Sequence, residues 1–107
     1  PFPDQKFDRV IMVDALHHVC DQEHTARELW RVLKPGGRIV IEEPDISRFL
    51  VKLVAVGEKI ALMRSHFLSG EEIAGLFKPL KPYKPVIKIV KEDHFVWVSI
   101  TKPLKIA

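Results

Sequence analysis

One cysteine in 107 residues excludes an internal disulfide, so a reducing, cytoplasmic setting is the expectation. No apolar run approaches the roughly 18–20 residues of a membrane-crossing helix, and no basic-then-apolar leader resembles a signal peptide. No segment repeats, and nothing reads as an interdomain linker, so residues 1–107 are taken as one domain. A strong charge of either sign is also missing. The 17 basic and 14 acidic side chains leave a net +3, scattered from end to end, and a nucleic-acid partner is not expected. Nor is there an initiator methionine. The chain opens at Pro1 on "PFPDQKFDRV" and reads as though cut from a longer sequence.

What remains is an ordinary globular composition, 47% hydrophobic and 29% charged, enough for one small core. After a proline-containing lead-in, "RVIMV" (9–13) is apolar at every position from Val10 to Val13, which suits a parallel-sheet strand covered on both faces. Ala26, Leu29, Trp30 and Leu33 then recur at helical spacing. Asp21 is placed as N-cap and Arg31 and Lys34 in the last turn, with Pro35 as the stop and Gly36–Gly37 as the turn. "RIVIEE" (38–43) is a second buried strand, and strand–helix–strand makes a βαβ unit. A long helix follows, capped by Asp45, with Gly57 allowing close approach. Ser69 and Glu72 form a capping box for a shorter helix, "KPLKPYKP" is a solvated loop, and "VIKIV" (86–90) and "HFVWVSIT" (94–101) form a hairpin. Trp30 and Trp97 are both expected in the core.

The polar stretch "DALHHVCDQEH" (14–24) allows three arrangements. A metal site would need His17, His18, Cys20 and His24 to converge, which adjacent histidines and a residue within a helix turn make awkward. A Cys–His nucleophile would need a cation or helix start to favour the Cys20 thiolate, whereas a buried, inert thiol is the commoner role. The third arrangement is the carboxyl end of an inner strand, where open α/β sheets bind their ligands. That one is preferred, with no metal.

"PFPDQKFDRVIMVDALHHVCDQEHTARELWRVLKPGGRIVIEEPD" resembles the second half of the class I S-adenosylmethionine-dependent methyltransferases, most closely the type 11, ubiquinone-biosynthesis-like branch. The "FD" lead-in, the "LHH" turn and "R-LKPGG" occur in the family's order. "RSHFLSGEEIAGLF" and "FVWVSITKP" resemble its last helix and last strand. The resemblance implies the C-terminal half of a Rossmann-like α/β/α sheet, with parallel strands followed by an antiparallel terminal hairpin. It also implies that the cofactor is S-adenosylmethionine.

By that resemblance Asp14, Ala15, Leu16 and His17 line the methionine and methyl end of the cofactor. His18 faces the acceptor as candidate base, a task suited to a neutral imidazole. Glu43, ending the strand where acceptors approach, is the candidate contact for a small-molecule acceptor. The glycine-rich loop and ribose-binding acid that complete the family's cofactor site have no counterpart here. "KPGG" leads from helix to strand, the opposite polarity. The cofactor site is therefore expected to be incomplete, and the chain inactive alone. Without the family's first strand, residues 10–13 form a bare apolar edge, expected to recruit a second copy or a separately made N-terminal half. A non-catalytic dimerisation or docking module is the competing reading.

Overall fold

A computed structural model describes residues 2–45, 68–92 and 95–105. Strand β1 (Phe7–Val13) leads through a 3-10 turn (Leu16–His18) to helix α1 (Gln22–Val32) and strand β2 (Leu33–Pro44). Helix α2 (Gly70–Phe77) precedes the strands β3 (Val86–Glu92) and β4 (Phe95–Thr101). The sheet order is β1-β2-β4-β3, with β1 parallel to β2 and the remaining pairs antiparallel. This is the expected α/β architecture, a βαβ unit followed by a terminal hairpin. The expected long helix after Asp45, with Gly57, lies outside the described residues.

Both described α-helices start where the sequence places caps. Asp21 Oδ1 accepts the His24 amide at 3.0 Å. Ser69 and Glu72 exchange side chain–backbone bonds at 3.0 and 3.1 Å, a complete capping box. The end of α1 differs from expectation. The helix stops at Val32, and Leu33 is already extended (ψ 130°), so Lys34 is not in the last turn and Pro35 is not the stop. The residue before a proline avoids the helical region, and here the chain leaves the helix two residues before Pro35.

Residues 33–37 instead pair as the start of β2, five residues earlier than position 38. The register with β1 jumps from Phe7↔Leu33 to Arg9↔Arg38. "KPGG" is thus an irregularity inside the sheet rather than a turn. Gly36 has a φ of 85°, open to glycine at little cost. At Gly37 a Cβ would stand 2.7 Å from the Leu33 side chain and 2.8 Å from the Lys34 carbonyl oxygen.

Carbonyls freed at the end of α1 are answered from outside the helix. Gln5 and Lys6 amides donate to the Arg31 and Val32 oxygens at 2.9 and 2.8 Å. Lys102 Nζ donates to the Trp30 and Leu33 oxygens, both at 2.9 Å. The ammonium lies 5.2 and 5.1 Å from the ring centres of Trp30 and Tyr83. Burial pushes its pKa below the ordinary 10.5.

One sheet face carries the core. Met12, Ile41, Val98 and Ile89 form one row across the four strands, and Val10, Ile39, Ile100 and Ile87 the next. Ala26 and Trp30 of α1 and Ile73 and Phe77 of α2 pack onto these rows. Gly70 lets α2 approach closely, since a Cβ there would meet Ile89 and Val96 methyls at 2.9 Å. The other face carries Ile11, Val40, Ser99 and Lys88, then Val13, Glu42, Trp97 and Val90. Among the described residues it has no helix on it. Ile11 is 71% and Val13 54% exposed, so β1 is covered on one face and not on both. Trp97 is half-buried on this face, tilted against Phe95, rather than in the core.

Candidate functional site at the carboxyl end of the parallel strands

The end of β1 turns sharply. Asp14 adopts a φ of 50°, a left-handed conformation that aspartate tolerates better than most residues. Its amide donates to the Glu42 carbonyl of β2 at 2.8 Å, so the turn begins pinned to the neighbouring strand. The 3-10 turn then closes, with the His18 amide on the Ala15 oxygen and the Val19 amide on the Leu16 oxygen, both at 3.0 Å. Asp14, Ala15, Leu16, His17 and His18 therefore do lie together, on one short loop at the carboxyl ends of two parallel strands.

Their side chains divide in a way the linear motif does not reveal. Asp14 and His18 are exposed and Ala15 is half-buried. Leu16 is 2% exposed, and its side chain belongs to the core cluster, so the turn is anchored from beneath. Glu43, expected beside the acceptor, is 1% exposed, and its Oε2 accepts the Leu16 amide at 3.2 Å. Gln22, which sequence reasoning passed over, is 8% exposed and donates from Nε2 to the Leu16 oxygen at 3.2 Å. Its position as first residue of a capped helix was legible; its inward aim was not.

Beside the turn a groove of about 650 Å³ is lined by Cys20, Asp21, Gln22, Glu23, Leu68, Glu72 and Leu76. The Cys20 thiol is exposed here, contrary to the expectation of a buried one, because it sits on the loop just before the helix cap. His24 is in the first turn of α1, and among the described residues no three His, Cys, Asp or Glu side chains converge as a metal would need. A second groove, of about 560 Å³ and lined by Trp30, Tyr83 and Lys102 among others, lies at the opposite, amino end of the parallel strands.

The comparisons with known proteins agree with this geometry. A family pattern described as a methyltransferase domain matches residues 1–41, from the lead-in through β1, the turn, α1 and most of β2. The ubiquinone/menaquinone biosynthesis C-methyltransferase UbiE of Geotalea daltonii is 34% identical over 100 residues, covering 89% of this chain and 40% of that protein. Over nearly its whole length the chain is similar to the class I S-adenosylmethionine-dependent methyltransferases. A 27-O-demethylrifamycin SV methyltransferase of Amycolatopsis mediterranei is 46% identical over 41 residues, covering 38% of this chain and 15% of that protein. The solved structure of a Thermotoga maritima methyltransferase, described as a possible histamine N-methyltransferase, superimposes with a TM-score of 0.79 at 24% identity. It covers 95% of this chain and 59% of that one.

The chain thus spans about two fifths of the length of the Geotalea daltonii relative. Methyltransferases of this type use S-adenosylmethionine as methyl donor. At the carboxyl end of the parallel strands an exposed carboxylate at Asp14, the half-buried Ala15 and the exposed His18 stand on a loop whose backbone is already held. No helix among the described residues is long and apolar enough to cross a membrane.

Proposed function

We propose that this chain is the C-terminal part of a methyltransferase domain that moves a methyl group from S-adenosylmethionine to a small-molecule acceptor, and that it is inactive alone. The observation that carries this reading is the pinned Asp14–His18 turn at the carboxyl end of a β1–α1–β2 unit, in a chain similar to this family. When bound, the sulfonium supplies an already activated methyl group. The protein's task is then mainly to align the acceptor and to exclude water. Asp14, Ala15 and His17 form the wall against the methionine end of the cofactor, and Leu16, expected beside them, anchors that wall from beneath because its side chain is buried in the core. His18, exposed at the end of the turn, takes the acceptor's proton where the acceptor must lose one.

Titration calorimetry of S-adenosylmethionine tests this, run on the chain alone and on the chain completed by a strand and glycine-rich loop. The expected outcome is no saturation by the chain alone up to millimolar cofactor and micromolar binding once it is completed. A completed domain that binds no cofactor overturns the reading. One observation favours a second reading, a non-catalytic interaction module: β1 ends the sheet with two exposed apolar residues, Ile11 and Val13. In either case the partner at that edge is a second copy or a separately made N-terminal half.

A further inference from the structure

We propose that Gln22 and Glu43 are positioning residues that clamp the Asp14–His18 turn into its working shape, so that Glu43 serves the site from beneath rather than by touching the acceptor. The inference rests on the methyltransferase reading of that turn. Leu16 is held at both of its backbone polar groups by side chains from two other elements. Its amide donates to Glu43 at the end of β2, and its carbonyl accepts from Gln22 at the start of α1, each at 3.2 Å. All three residues are more than nine-tenths buried. A buried carboxylate is costly unless hydrogen-bonded, and a simple core position would be served as well by an apolar residue.

The two bonds act on one point of the loop from opposite sides. With Asp14 already tied to the Glu42 carbonyl, strand β2 holds the turn twice, through consecutive residues. Neither peptide group of Leu16 can rotate without breaking a buried bond. Asp14, Ala15 and His18 are therefore displayed in a preset arrangement before any ligand arrives, which lowers the ordering cost at the moment of binding.

Amide hydrogen exchange on this chain tests the clamp, comparing wild type with Glu43→Ala, Gln22→Ala and Glu43→Gln. The readout is the His18 amide, which donates to the Ala15 oxygen, with the Ile41 amide of β2 as internal control. Both alanine variants are expected to speed His18 exchange by about tenfold or more while Ile41 holds its rate. Glu43→Gln keeps an oxygen acceptor and is expected to stay near wild type. Unchanged His18 exchange in the alanine variants overturns the clamp. So does equal acceleration of Ile41, or a glutamine variant that behaves like alanine. No arm needs the cofactor. A failed cofactor titration therefore sinks the methyltransferase reading alone, and a failed exchange experiment sinks the clamp alone.

Discussion

The two faces of the sheet are built from the same strands and end in different circumstances. On one, Met12, Ile41, Val98 and Ile89 lie beneath α1 and α2; on the other, Val13, Glu42, Trp97 and Val90 have no described helix over them. In β4 the sequence distinguishes these faces, with Trp97 the one apolar exception: Val96, Val98 and Ile100 alternate with Ser99 and Thr101. In β1 it does not, since Val10 to Val13 are apolar throughout. Alternation marks a strand with one wet face, and its absence marks a strand whose second face is meant to be covered. Ile11 and Val13 are the exposed apolar side chains on that second face.

The comparison is sharpened most by paired substitutions in one row and the next. Ile41→Ala, fully buried on the covered face, is expected to lose ~2–5 kcal/mol in urea unfolding. Ile11→Ala, on the open face, is expected to change stability by less than about 0.5 kcal/mol in the isolated chain. Equal losses at the two positions would mean that the open face is covered in solution.

Lys102→Ala comes next, because it leaves the Leu33 carbonyl without its donor at the end of α1, at a cost of about 1–3 kcal/mol. Lys102 also gives the chain a defined pH dependence. Its ammonium is disfavoured by burial, so between its folded pKa and 10.5 the unfolded chain binds more protons than the folded one. Stability should therefore rise as pH climbs through that window, and Lys102→Met should remove this part of the rise in unfolding curves. A smaller effect is expected at the start of the same helix. Asp21→Ala removes the cap on the His24 amide and should cost about 1 kcal/mol.

The smallest change in stability should accompany the largest change in assembly. Ile11→Lys with Val13→Lys places charge on the bare strand while disturbing no core contact. Sedimentation should find wild type heavier than a monomer and the double variant at monomer mass. A monomeric wild type at micromolar concentration would remove self-association at this edge.

Much of the architecture was legible because it follows from local rules. Apolar runs placed β1 and β2, helical spacing placed α1, and Asp21 and Ser69 fall where short polar side chains answer free amides. The end of α1 was misread for a reason beyond local rules. Pro35 and two glycines look like a stop and a turn, yet residues 33–37 find strand partners in Phe7 and the Lys102 backbone. Distant pairing outweighed local punctuation.

The site divides along the same line. The motif "DALHH" and its place after an apolar run identified the loop, since ligand sites gather at the carboxyl ends of parallel strands. Which of its residues face outward was not in the motif. The sequence by itself determined the resemblance to a family, the βαβ unit and the position of the turn, because these depend on spacing and on residue type. Only the tertiary structure decided that Leu16 points inward and that Gln22 and Glu43 close on its backbone. A hydrogen bond across 27 residues, as from Leu16 to Glu43, depends on how helix and sheet pack, and no local pattern encodes that distance.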